Sequence, residues 1–119
     1  MLRGVRGATT VDENEREAVV SRTQELLRHM TEANGIQTDD VGAVIFSATP
    51  DITAAFPASS ARLLGWTEVP LFDARQMDCD NSLPLCIRVL ILWNTDKEQR
   101  HIRHTYLHGA RLLRPDLAR

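Results

Sequence analysis

Little in this chain could crosslink it, anchor it in a bilayer or draw it to a polyanion. Only two cysteines occur, Cys79 and Cys86, and their spacing makes neither a CxxC pair nor a zinc-finger arrangement. No disulfide framework is expected, and both thiols should stay reduced in a cytoplasmic setting. No apolar run approaches the roughly 20 residues that cross a bilayer. Met1-Leu2-Arg3-Gly4 leads straight into a strand-like segment, so no secretory leader is expected. An excess of one charge is missing too: 14 Lys and Arg face 16 Asp and Glu, a net charge of −2. Duplex nucleic acid and anionic membranes select strongly basic surfaces and are poor partners for such a chain.

Familiar catalytic signatures are equally scarce. There is no GxSxG, no glycine-rich phosphate loop, no HExxH and no Cys–His pair at a family spacing. His101, His104 and His108 cluster in sequence, but Thr105-Tyr106-Leu107 between them reads as strand rather than helix, so no metal site is expected. These absences favour a reaction that needs neither nucleophile nor metal.

What is present suits one soluble domain over residues 1–119, long enough to bury about two-thirds of its unfolded surface. Leu2–Thr10 reads as a strand in which Gly4 and Gly7 suggest a close approach of backbone or ligand. Asn14, with Glu17 three residues on, looks like a capping box. The helix it opens carries Val19, Thr23, Leu26, Leu27 and Met30 on one stripe and stops at Asn34-Gly35. Strands are predicted at 41–49, 69–74, 86–94 and 102–107, and a short helix from Pro57 to Leu64, ended by Gly65. The tail from Leu113 to Leu117 reads as a turn or short helical segment.

The class is α+β: about five strands in a mixed sheet, one long helix and one short one, without repeats or linkers. One helix cannot cover both faces of such a sheet. Because 41–49 and 86–94 are apolar at even and odd positions alike, some burial should come from another subunit.

Arg88 lies in the middle of the most apolar strand, CIRVLILWN. A guanidinium stays charged, so it must reach water, pair internally or meet an anion. Arg6 in the first strand and Arg114 beside Pro115 pose the same question; Arg62 on the short helix could simply be exposed. Arginines on several elements could converge on one ligand carrying more than one carboxylate, held bidentately. An internal salt bridge is the competing reading.

Four blocks carry a family resemblance: RGVRGATT (3–10), SATPDITAAFPASSARLLGW (47–66), CIRVLILWNTD (86–96) and IRHTYLHGARLLRPDL (102–117). In order and spacing they resemble the monofunctional chorismate mutases of the AroH type. The resemblance implies a homotrimer with a pseudo-α/β-barrel core and clefts between subunits. It implies rearrangement of chorismate to prephenate, on the way to phenylalanine and tyrosine, without a cofactor. Arg88 then matches the arginine facing the ether oxygen and a carboxylate, Arg6 the one near the other end of the substrate, and Tyr106 a tyrosine bonded to a carboxylate. Phe56, Ala58 and Arg62 match positions supplied by the neighbouring subunit. Leu71, Phe72 and Asp73 fall on the strand lining the pocket, and Leu113 and Arg114 on the segment closing over it.

The chain departs from that family where the ring of chorismate would lie. Gln76 stands where a glutamate usually accepts the ring hydroxyl, Asp73 where a cysteine or small polar residue is usual, and Ser59 where a lysine is frequent. Asp73 could restore the missing carboxylate from another position; alternatively it faces solvent. These departures leave two rivals to an active mutase: a relative acting on another enolpyruvyl or cyclic carboxylate, and a trimer that binds such a ligand without converting it.

Overall fold

The computed structural model describes residues 1–113. In chain order the elements are β1 (Leu2–Thr10), α1 (Arg16–Asn34), β2 (Val41–Ala48), α2 (Pro57–Leu63), β3 (Leu71–Arg75), β4 (Cys86–Asn94) and β5 (Thr105–Tyr106). Single 3-10 turns lie at Thr38–Asp40, Gln99–His101 and His108–Leu112. The strands form one mixed sheet in the order β3-β2-β4-β1-β5, with β4 antiparallel to both β1 and β2. The two edge strands join in parallel, β3 to β2 and β5 to β1.

α1 covers one face. Its predicted stripe, Val19 to Met30, is buried against Val5, Val44, Phe46, Ile87, Val89, Ile91 and Trp93. Gly7 belongs to this contact: a methyl there would run into Met30 and come within 3.1 Å of Leu26 Cδ1. The close approach suggested by the sequence is thus backbone against helix. Gly7→Ala should cost about 1–3 kcal/mol of stability by overpacking. Urea unfolding at fixed protein concentration tests this, and an unchanged midpoint would show that Met30 swings away freely.

Among the described residues the opposite face is covered only beside β5, where Tyr106, Ala110, Leu83 and Leu113 pack on Ala8. Strand alternation places Leu2, Arg6, Ile45, Phe72, Arg88, Leu90 and Leu92 on it. Leu2 is 59% exposed, Phe72 65% and Ile45 36%. A contiguous apolar sheet face of this kind marks an interaction surface.

Two local expectations are corrected. Asn14 does not cap α1; Glu15 holds the cap position without a side-chain bond. Asn14 Oδ1 instead accepts the Thr53 and Ala54 N–H groups at 2.9 and 3.0 Å, while its Nδ2 donates to Thr53 Oγ1 at 2.8 Å. Long-range donors outcompeted the local cap. The fifth strand shrinks from 102–107 to Thr105–Tyr106. Its first half is bonded elsewhere: Arg103 N–H donates to Asn34 Oδ1 at 2.8 Å, and Asn34 Nδ2 donates to the Arg103 carbonyl at 2.9 Å. Its last half turns away at His108, whose φ is 53°. The left-handed C-cap of α1 is present as expected at Gly35, φ 72°.

Candidate active site

On the uncovered sheet face, β1 and β4 run antiparallel with Arg6 opposite Leu90 and Ala8 opposite Arg88. Both arginine side chains therefore project from the same face. β5, beside β1, brings Tyr106 next to Ala8. Arg6, Arg88, Tyr106 and Leu113 line one cavity of about 170 Å³ together with Ser47 and Leu90. That is small against the roughly 300 Å³ or more of a pocket enclosing a small ligand, so these walls form part of a site.

Among the described residues no carboxylate pairs with Arg6 or Arg88. The polar neighbour of Arg88 on its own strand is Cys86: burial pushes that thiol up, and the guanidinium partly opposes the shift. The internal salt bridge that competed for Arg88 is thus not formed among the described residues. Arg6 contributes its backbone as well, donating its N–H to His104 Nδ1 at 2.9 Å. His108 faces another way, 2.7 Å from Glu25, so the histidines spaced closely in sequence serve different contacts.

A network missed by sequence reasoning fixes the start of β4. Thr49 Oγ1 donates to Asp51 Oδ1 at 2.5 Å and accepts the Cys86 N–H at 3.0 Å. Asp51 Oδ2 accepts the N–H of Leu85, which holds a left-handed φ of 49°. In the sequence, Pro50-Asp51 signals only the end of a strand. Here Asp51 ties that end to the residues leading into Arg88.

The remaining predicted site residues lie elsewhere. Phe56, Ser59 and Asp73 line a separate cavity of about 630 Å³ that also includes Arg16 and Arg75. Phe56 is 68% exposed, whereas Ala58 is buried under it at the start of α2. Arg62, one turn on, lies exposed and reaches Ser59 Oγ at 3.3 Å. Asp73 Oδ1 accepts the Ala58 N–H at 2.9 Å. Burial raises the carboxyl pKa of Asp73, while that bond and the charge of Arg62 pull it back. Asp73 therefore does not simply face solvent.

Leu71, Phe72 and Asp73 do not line one pocket together. Alternation turns Phe72 to the uncovered face, and half-buried Leu71 packs against the main core. Gln76 lies past the end of β3, in a third cavity of about 540 Å³ with Thr49, Asp51 and Pro84. Its N–H donates to the Ala48 carbonyl, and its Oε1 is buried without a partner among the described residues. Arg114 lies outside the described residues.

Within one chain these groups cannot meet. β3 and β1 are three inter-strand steps apart, roughly 14 Å, and Asp73 and Arg88 point to opposite faces. Arg6, Arg88, Tyr106 and Leu113 form one cluster; Phe56, Ala58, Ser59, Arg62 and Asp73 form another.

Comparison with known proteins bears on what the clusters serve. A family model described as chorismate mutase type I matches residues 2–117. The chorismate mutase AroH of Thermus thermophilus is 54% identical over 118 residues, which is 98% of this chain and 97% of that protein. The AroH enzyme of Bacillus subtilis (strain 168) is 44% identical over 119 residues, 99% and 94% of the two. A solved structure of chorismate mutase from Clostridium thermocellum matches with a TM-score of 0.90 and 46% identity, over 92% of this chain and 97% of that one. Among the described residues no helix is long and apolar enough to cross a membrane.

Proposed function

Because the chain belongs to the type I chorismate mutase family, we propose that its two clusters are halves of one active site, joined when copies of the chain pack around their uncovered sheet faces. The activity is that of a chorismate mutase, an isomerase of aromatic amino-acid biosynthesis. The assembly is a homotrimer with three such clefts, acting in the cytoplasm without a cofactor. The observation that carries this reading is the pairing of Arg6 and Arg88 on an uncovered face, with no carboxylate among the described residues to neutralise them.

Chorismate has two carboxylates to offer those guanidiniums. Its rearrangement breaks one C–O bond and forms one C–C bond within a single molecule, so no atom enters or leaves. The protein has two tasks: hold the compact conformer, and favour the negative charge that grows on the ether oxygen. Arg88 serves the second task and grips a carboxylate. Arg6 holds the far end, and Tyr106 donates to a carboxylate. From the neighbouring copy, Phe56 and Ala58 bound the ring while Ser59 and Arg62 supply polar contacts. Leu113 closes over the cleft. Gln76 accepts the ring hydroxyl through its Oε1, which lacks a partner among the described residues; an orphaned buried acceptor costs about 1–3 kcal/mol.

The test is to follow loss of chorismate absorbance with the purified protein, alongside Gln76→Glu. Rapid conversion is expected, with the variant equal to the wild type or faster, since a carboxylate accepts the same hydrogen bond with charge behind it. Tight binding without conversion would instead support a carboxylate-binding trimer. Neither binding nor conversion would point to a different cyclic carboxylate as substrate.

A further inference from the structure

α2 has only seven residues, and its cap position is occupied by Phe56. A helix this short is marginal on its own, and its first-turn N–H groups need acceptors. The side chain of Phe56 has none to offer, and its exposed ring suits the wall of a cleft. Pro57 at the first helical position has no N–H to satisfy. The Ser59 N–H turns back to the Phe56 carbonyl at 3.0 Å. That leaves the Ala58 N–H, and it is met from outside the helix by Asp73 Oδ1 on β3 at 2.9 Å.

We infer that Asp73 is a positioning residue that takes over the capping role Phe56 cannot perform, fixing the Phe56–Arg62 segment at the cleft without touching the substrate. The inference rests on the functional reading above and revises the idea that Asp73 stands in for a lost glutamate. Its location argues the same way. Asp73 pairs with Phe46 across the β2–β3 ladder, and Phe46 is fully buried on the face that α1 covers, away from Arg88. A negative group at a helix N-terminus is favoured by the aligned peptide dipoles, and Arg62 adds a cation on the same element. The other end of the segment is held by Asn14, through the Thr53 and Ala54 N–H groups. The apolar cleft residue is thus framed by two side-chain clamps from separate elements.

Asp73→Asn and Asp73→Ala separate this role from substrate binding. An asparagine carbonyl can still accept the Ala58 N–H, whereas alanine cannot. Asp73→Ala should raise KM for chorismate roughly tenfold, the factor carried by a lost helix cap, with a smaller change in kcat. Its Ala58 amide should exchange with solvent faster by a similar factor. Asp73→Asn should keep KM within about threefold of the wild type and the amide protected. If Asp73→Asn loses activity as heavily as Asp73→Ala while its Ala58 amide stays protected, the carboxylate charge acts on the substrate and the inference is overturned. A wild-type KM in Asp73→Ala would overturn it as well. Should Asp73→Ala fail to fold, Asp73→Asn alone decides by the same criteria. If the wild-type protein does not convert chorismate, the functional reading fails, and amide exchange still reports whether the clamp exists.

Discussion

Arg88→citrulline is expected to lower kcat by about 10²–10³-fold while the chain still folds and assembles. Citrulline keeps the length, planarity and most of the hydrogen-bonding edge of arginine but carries no charge. The side chain projects from the uncovered face and lies outside the main core, so its neutralisation leaves the α1 packing intact. Any loss then reports on charge at the reacting centre. The expected size is that of removing one preorganised donor from a developing oxyanion, about 2.7–4 kcal/mol. Arg88→Lys makes the complementary change. It keeps a cation, gives up the bidentate fork, and should fall between the two. Steady-state kinetics with a check of assembly by gel filtration settles the matter. A citrulline variant as active as the wild type would mean that positioning alone drives the rearrangement.

A second large effect is expected from mixing two inactive proteins. Arg88→Ala damages the arginine half of the site; Phe56→Ala with Arg62→Ala damages the other half. If each cleft takes one half from each of two neighbouring chains, an equimolar mixture, unfolded and reassembled together, contains clefts with both halves intact. Random assembly in a closed ring makes these about one quarter of the total, so the mixture should recover roughly a quarter of wild-type activity. Clefts built within single chains would give no recovery at all. This experiment therefore tests the division of the site separately from the chemistry performed in it. The geometry favours recovery, because Arg88 and Asp73 leave the sheet on opposite faces.

The elements were legible in the sequence wherever they follow a local rule. β1 and β4 keep their expected bounds, and the stripe on α1 and the stop at Gly35 follow from periodicity and backbone conformation. Arg88 stood out because a permanent charge in an apolar strand demands a partner. What escaped was set by pairing between distant segments. Asn14 reads as a cap because sequence shows its helix but not the loop 39 residues away that it bonds. Asn34 reads as a helix stop, and nothing local shows that it also ends the run toward β5 by bonding Arg103, 69 residues on. Asp73 reads as a ligand or a surface acid, because its use depends on α2 lying across β3. Ser47 joins the arginine cavity only through the register of β2 on β4. The assignment of Gln76, Tyr106 and Phe56 to a substrate rested on resemblance, since each has an ordinary structural role as well.

The sheet order also fixes when this protein can begin to fold. β1 and β2 never pair with each other; each depends on β4, which lies between them and is among the last segments made. At about 5–20 residues per second, the first strand waits roughly 4–17 seconds on the ribosome before its partner exists. Until then, β2 has β3 and α2 beside it, but β1 has only α1 to shelter it, and its edge stays open to other nascent chains. A slowing of synthesis before Cys86 would lengthen that interval. For this topology, the codons between Thr10 and Cys86 bear on yield as well as on sequence.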